Sequence, residues 1–405
     1  MTSDFERFTR IDAADVYKAG RRAASLIRGM KGVEFRYLPG YLAEPGPPVA
    51  TTLPLSDVAV SYPGGAVPPF FAGLLPEGRR LSALRRAVKT SVDDELSLLL
   101  VVGRDTIGDV QVVPSGEPPI PGEPLVQVER GWNEVRFGEV LAEAGVVDPV
   151  ALPGVQEKVS ARMIGVPIGR AGERNILKID PPEFPHVVEN EAFFLGLARK
   201  VRLESARAEV VHDRDGRPGL LVHRFDRVPH PDGSTMALAC EDACQVMGRW
   251  PADKYLASTE EAVGALADRC AARPVALKTL FRQLCFAWLT GNGDMHAKNL
   301  SILRTTDGEW RVAPAYDVPS TVPYGDTSTA LPMQGRTSGL TRRHLLGFAE
   351  QIGLPERAAT EALDDLLERL AGLEAELRAG ALPFPQKVTA DLVAQLRYRR
   401  RQAID

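Results

Sequence analysis

Cysteine is scarce in this chain: Cys240, Cys244, Cys270 and Cys285 are the only four in 405 residues. That excludes a disulfide-stapled scaffold and fits thiols kept reduced in a cytosol. Cys240 and Cys244 form C-x3-C, but no second Cys or His pair follows at zinc-finger spacing. Long apolar runs are also missing. The strongest, "LSLLLVVG", is far too short to span a bilayer, so no membrane role is expected. The start, "MTSDFERFTRID", carries early acids and no apolar signal core, so a cytoplasmic protein is expected. Nor does one sign of charge dominate: the net charge is -4 and the pI near 6.0, which gives no global basic footprint for nucleic acid.

What is present describes an ordinary globular protein, 44% apolar and 25% charged, too long for one typical domain. Residues 1–113 read as a mixed α/β domain. "VYKAGRRAASLIRGM" has loose helical spacing, "VEFRYLPGYL", "VAVSY" and "IGDVQVVP" look like strands, and "GLLPEGRRLSALRRAVKT" looks helical. Residues 114–124, "PSGEPPIPGEP", hold five prolines in eleven positions and read as a semi-rigid linker. Residues 125–225 alternate strands ("KVSARMI", "NILKID", "PGLLVHRF") with one helix, "ENEAFFLGLARKV"; residues 226–405 are dominated by helical patterns. A small strand-rich lobe before a large helical lobe is the protein-kinase order, so the expected fold is α+β and two-lobed, preceded by the mixed α/β domain.

The chemistry-bearing stretch is "TGNGDMHAKNLSIL", residues 290–303. Gly291 and Gly293 end an apolar helical run at Leu289 and open a polar loop before a short apolar strand. Asp294 and Asn299 are five apart, the spacing of base and metal-binding amide in the kinase loop D-x-x-x-x-N. The Asp would accept a hydroxyl proton and the Asn carbonyl would ligate Mg²⁺. Lys298 would neutralise charge on a transferring phosphoryl group, and His296 would either join the site or fix the loop. The plain alternative is an ordinary turn. Lys178, between Ile176, Leu177 and Ile179, fits a buried strand lysine reaching nucleotide phosphates, or an edge lysine reaching water. Glu189 and Glu191 each qualify as its partner, or as helix N-terminal acids. A turn at Gly154 in "ALPGVQEKVSARM" could drape backbone N–H groups over phosphates. Asp317, in "VAPAYDVPST", takes the place of the second metal-binding aspartate, or caps a turn.

Taken together, "FFAGLLPEGRR", "GRDTIGDVQVVP", "LPGVQEK", "ILKI", "ENE", "LLVHRFDR", "EDACQVMG", "DKY", "GNGDMHAKNLSIL" and "APAYDVPST" resemble the HipA-type serine/threonine kinases, the toxin halves of bacterial toxin–antitoxin pairs. The resemblance spans nearly the whole chain. It implies ATP with Mg²⁺, a protein serine as acceptor (an aminoacyl-tRNA synthetase is the best-known family target), and a small helix-turn-helix antitoxin that recruits the kinase to operator DNA. Carried onto this sequence, the phosphate loop is Pro153, Gly154, Val155, Gln156, Glu157 and Lys158, and the nucleotide lysine is Lys178. The adenine hinge is His223, Arg224 and Phe225, largely through backbone groups. Asp294 is the base, His296 and Asn299 belong to the nucleotide and metal site, and Asp317 beside Tyr316 is the other metal ligand. Two departures stand out. Ala151 occupies the position of a serine whose autophosphorylation silences well-known members, so restraint would fall to the partner, with Ser160 a weaker acceptor. Cys240 replaces a polar residue that can serve the ribose. Two other functions remain open on sequence: a small-molecule kinase of aminoglycoside-phosphotransferase type and an inactive antitoxin-binding scaffold. The run "LRYRRRQ" near the C-terminus suits either phosphate backbone or a solvated tail.

Overall fold

The computed structural model describes the chain except residues 1–3, 30–31, 63–65, 92, 120–125, 130, 144–162, 171–172 and 231–233. Ala151, Ser160 and the stretch from Pro153 to Lys158 therefore lie outside the described residues.

The first sheet has five antiparallel strands: β1 (Ala13–Lys18), β2 (Arg21–Gly29), β3 (Gly32–Tyr37), β4 (Val60–Tyr62) and β5 (Val110–Pro114), in the order β4-β3-β2-β1-β5. The expected helix in "VYKAGRRAASLIRGM" is instead the β1–β2 hairpin. Ala19 and Gly20 both adopt positive φ (48° and 78°), which turns the chain in two residues with the twist the strands need. Ala14 and Val16 on β1 and Ala24 and Leu26 on β2 are fully buried and recur at every second position, the strand period that overrides the looser helical one. "GLLPEGRRLSALRRAVKT" does form a helix, α1 (Gly78–Val88), and "LSLLLVVG" lies mostly in the buried helix α2 (Glu95–Val102).

A second five-stranded sheet follows: β6 (Val126–Gln127), β7 (Ile164–Arg170), β8 (Glu173–Ile179), β9 (Ala208–His212) and β10 (Pro218–His223), ordered β6-β7-β8-β10-β9. β6 runs parallel to β7; the other neighbours are antiparallel. Its strands present two different faces. Leu177, Ile179 and Leu221 pack with Val166 and Phe137 on one side, while Leu220 and Val222 join the large C-terminal core on the other. Gly219 on β10 is required by that packing, because a Cβ there would meet the Phe137 ring at 2.7 Å.

The remainder is mostly helical. α3 (Val187–Lys200) crosses the second sheet, and α4 (Arg273–Thr290) forms the spine of the C-terminal core. From Gln283 to Thr290 every residue of α4 is buried. The helix runs one residue past Leu289 and ends at Gly291 in the left-handed conformation (φ 76°), where a Cβ would collide with Val322 and Ser320. The Arg-rich "LRYRRRQ" is neither a tail nor a free basic patch. It belongs to the last helix, α5 (Gln386–Ile404), and Arg399 is fully buried. Arg399 lies 4.1 Å from the Trp288 ring centroid and donates to the carbonyls of Trp288 (2.8 Å) and Thr327 (2.7 Å). Arg397 pairs with Glu374 at 2.8 Å. No helix among the described residues is long and apolar enough to cross a membrane.

Candidate active site

A cavity of about 340 Å³ opens where the second sheet, the loop after α4 and the N-terminal region meet. Strand alternation on β8 supplies its first functional group. Leu177 and Ile179 point into the core, so Ile176 and Lys178 face the cavity. The Lys178 ammonium sits 2.6 Å from Glu191 Oε1 and 2.9 Å from Asp317 Oδ1. Of the two acids at the start of α3, Glu191 is the partner; Glu189 faces the His186 ring at 3.6 Å instead. Two anchors fix the helix end that presents Glu191. The Asp180 carboxylate accepts from the N–H groups of His186 (2.8 Å) and Val188 (2.7 Å), satisfying donors that a helix start leaves open. The Asn190 side chain bonds both the N–H (2.9 Å) and the carbonyl (2.8 Å) of Ser320, tying α3 to the segment after Asp317. Two carboxylates outweigh desolvation and push Lys178 up, so it stays charged. Glu191 is fully buried and shares one ammonium with Asp317; burial pushes its carboxyl above the ordinary range. Asp317 itself holds a left-handed backbone (φ 56°), a conformation non-glycine residues rarely adopt and one that collects at functional sites.

Across the cavity, residues 291–299 form a loop fixed at every turn. A Cβ on Gly293 would strike Thr321 Oγ1 at 2.6 Å and Asp326 Oδ2 at 2.7 Å, so glycine is needed for close approach. The Gly293 N–H donates to Thr321 Oγ1 (2.9 Å), and the Asp294 N–H donates to Asn292 Oδ1 (2.8 Å). Asn292 Nδ2 in turn reaches the Asp317 carbonyl (3.3 Å), joining the loop to the other wall. Asn299 Nδ2 donates to the Asp294 carbonyl at 2.8 Å, which spans the five-residue spacing with one hydrogen bond. Asp294 is fully buried, and its Oδ1 accepts from the Tyr255 hydroxyl at 3.0 Å. His296 stacks edge-on against Tyr255, with ring centroids 5.2 Å apart. Burial, reinforced by the Lys254 ammonium, pushes His296 down to about 3, so its ring is neutral at working pH.

Lys298 lines the cavity, but its ammonium is taken up by the protein. Its ammonium lies 2.9 Å from the Gly73 carbonyl, 3.3 Å from Glu77 and 3.4 Å from Asp242. Its three donors are therefore spent on protein oxygens, two of them from the N-terminal region. Tyr316 donates to the Lys298 carbonyl (2.7 Å), contacts Ser301 Oγ (2.5 Å) and packs 5.7 Å from the Phe225 ring.

The expected hinge borders the cavity with its side chains turned in different directions. His223 faces Glu173 at 3.3 Å. Arg224 is buried in an ion cluster with Asp226 and Asp105 (2.8 and 2.7 Å) and donates to the Thr106 carbonyl (2.6 Å), which fastens the strand end to the N-terminal region. The N–H groups of His223 and Arg224 already donate to the carbonyls of Arg207 (2.8 Å) and Arg174 (3.4 Å). Cys240 also lines the cavity; burial pushes its thiol well up, so it stays protonated. Motif spacing does not single out Glu77, Asp242, Lys254 or Tyr255 as site residues, and it leaves Glu191 level with Glu189. The only trace of the first four in the sequence is that "LLPEGRR", "EDACQVMG" and "DKY" recur in the resembled family.

Among the described residues no three His, Cys, Asp or Glu side chains cluster as a closed metal site. An open Mg²⁺ site is different: it needs one or two protein oxygens, with waters and phosphates completing the octahedron. The Asp317 carboxylate beside Lys178 and the Asn299 amide, whose nitrogen is taken up by Asp294, fit that donor set.

The fold as a whole aligns with HipA of Shewanella oneidensis MR-1, solved in a complex with HipB and its operator DNA. The alignment covers 96% of each chain with a TM-score of 0.77 at 21% identity, which defines the class as mixed α/β with the kinase-like HipA architecture. Sequence agrees: residues 14–113 match the HipA N-terminal domain and residues 150–372 the HipA-like C-terminal domain. Y4mE of Sinorhizobium fredii, provisionally named a kinase, is 33% identical over 353 residues, covering 79% of this chain and 83% of its own. The serine/threonine-protein kinase toxin HipA of Shewanella oneidensis is 26% identical over 369 residues, covering 82% and 81%. The chain belongs to the HipA family.

Proposed function

We propose that this protein is an ATP-dependent kinase of protein serine or threonine hydroxyls and the toxin of a toxin–antitoxin pair. The observation that carries the reading is the Glu191–Lys178–Asp317 triad, its glutamate buried and its other two members open to the cavity, facing the braced Asp294–Asn299 loop. Lys178 holds nucleotide phosphates and Glu191 keeps it aligned. Asp317 and Asn299 hold Mg²⁺, which when bound neutralises phosphate charge. Asp294, oriented by Tyr255, accepts the proton of the acceptor hydroxyl as its oxygen bonds to the γ-phosphorus and the bridging bond to ADP breaks. With two N–H groups of the hinge already used, the adenine contacts fall to carbonyl groups there and to Phe225. Lys298 braces the loop and is not the cation that neutralises the transferring phosphoryl group. The likeness to a HipA solved with HipB and operator DNA supports a small helix-turn-helix antitoxin, and through it operator DNA, as partners. Family resemblance favours a translation-related target such as an aminoacyl-tRNA synthetase.

Incubation with γ-labelled ATP, Mg²⁺ and a bacterial lysate tests the reading. A labelled protein band that disappears with Asp294→Asn is expected. A labelled small molecule would indicate the aminoglycoside-type activity, and no label at all would indicate a scaffold.

A further inference from the structure

The loop that carries Asp294 is braced from the opposite end of the chain. Residues 69–77 leave the first sheet's region and run against the cavity wall. The Phe70 carbonyl accepts from Gln245 Nε2 (2.8 Å), and a Cβ on Gly73 would lie 2.7 Å from Gln245 Cγ, so the approach is tight. The Gly73 carbonyl accepts from Lys298. Glu77 then divides its carboxylate: Oε1 faces Lys298 at 3.3 Å and Oε2 pairs with Lys254. Each lysine leads to Asp294 by a separate route. Lys298 sits on the loop itself. Lys254 belongs to the turn at 251–255, whose Lys254 carbonyl accepts from the Ala297 N–H (3.2 Å) and whose Tyr255 hydroxyl donates to Asp294 (3.0 Å). Two ammonium groups are thus balanced by Glu77 and Asp242. Removing Glu77 leaves two part-buried cations facing one carboxylate.

We propose that Glu77 is a positioning residue for Asp294: the N-terminal region's carboxylate clamps the 291–299 loop to the 251–255 turn, so that the base is held by a residue outside the domain that carries it. The consequence for turnover rests on the kinase reading above; the clamp itself does not. Burial alone would raise Glu77, but Lys298 and Lys254 hold its carboxyl at about 2, so it is charged at any working pH. The clamp therefore does not switch with pH, and a neutral isostere removes its charge while keeping its shape.

The test compares wild type with Glu77→Gln and with the conservative variant Glu77→Asp, which keeps a carboxylate between the two ammonium groups. Amide exchange is followed by mass spectrometry over 251–255, 291–299 and, as an internal reference, α4. In Glu77→Gln the first two segments should exchange roughly tenfold faster while α4 is unchanged. Its kcat should fall about 100-fold with KM for ATP held, the pattern of a misplaced base. Glu77→Asp should recover part of that rate. Wild-type exchange over 291–299 in Glu77→Gln would overturn the clamp. So would a loss of kcat matched by a rise in KM and left unrescued by Glu77→Asp, since that marks general damage. Absence of phosphoryl transfer by wild type would sink the kinase reading alone, because the exchange comparison still decides the clamp.

Discussion

Lys178 and Lys298 face the same cavity from opposite walls, each with its ammonium beside two carboxylates and each pushed up by them against burial. They are nevertheless built for different work. Lys178 is held at 2.6 and 2.9 Å by Glu191 and Asp317, one a buried acid on a pinned helix, the other a proposed metal ligand on a left-handed backbone. Lys298 is held more loosely by its acids, at 3.3 and 3.4 Å, but also by the Gly73 carbonyl at 2.9 Å, and two of its three acceptors come from the N-terminal region. None of its acceptors is assigned to ligand. On the proposed reading the same residue type serves as a nucleotide ligand on the sheet side and a strut on the loop side, and the partner's origin tells them apart.

Four substitutions would break or sharpen this contrast. Asp294→Asn tests the loop side first. An amide cannot accept the hydroxyl proton, so turnover in a phosphoryl-transfer assay should drop roughly 10²–10⁴-fold, with Mg²⁺–ATP affinity retained. Lys178→Met tests the sheet side. It leaves Glu191 and Asp317 together without a cation, and breaking a buried pair costs about 3–5 kcal/mol of stability by denaturant titration. The pH dependence has a definite sign. Burial already raises Glu191 in the wild type, and losing Lys178 raises it further. A carboxyl raised in the folded state binds its proton more tightly there than when unfolded, so acid stabilises the folded variant. The deficit of Lys178→Met should therefore be largest above the raised folded pKa and shrink as pH falls through it toward the ordinary carboxylate range. Asn190→Ala removes both hydrogen bonds to Ser320 and should cost about 1–3 kcal/mol. Glu189→Gln is the smallest: an acid facing His186, not Lys178, should be worth at most about 1 kcal/mol and leave nucleotide binding intact.

The two walls are also unequally legible in the sequence. The 291–299 loop announces itself through two glycines and the five-residue spacing from Asp294 to Asn299, because a tight loop imposes its demands on neighbouring residues. Lys178 is readable as a strand lysine from its apolar flanks. The choice of Glu191 over Glu189 is not, since both lie in the first turns of one helix, and its rotation is set by the Asp180 cap and by the bond from Asn190 to Ser320, which is distant in sequence. The β1–β2 hairpin passes for a helix because its turn uses Ala19-Gly20, without the Asn or Asp that usually marks such turns. The arginines near the C-terminus look like a surface feature; only the packing of α5 on Trp288 shows that Arg399 is core. The role of Lys298 is hidden most deeply, for its partners at 73, 77 and 242 are joined to it by tertiary folding alone.

Calorimetric titration of Mg²⁺–ATP into Lys178→Gln and Lys298→Gln, each confirmed folded by near-UV circular dichroism, puts the contrast to its most direct test. The account predicts that Lys178→Gln loses most of its nucleotide affinity while Lys298→Gln binds as wild type does. Equal losses in the two variants would contradict it, because Lys298 would then be a nucleotide ligand and not a strut.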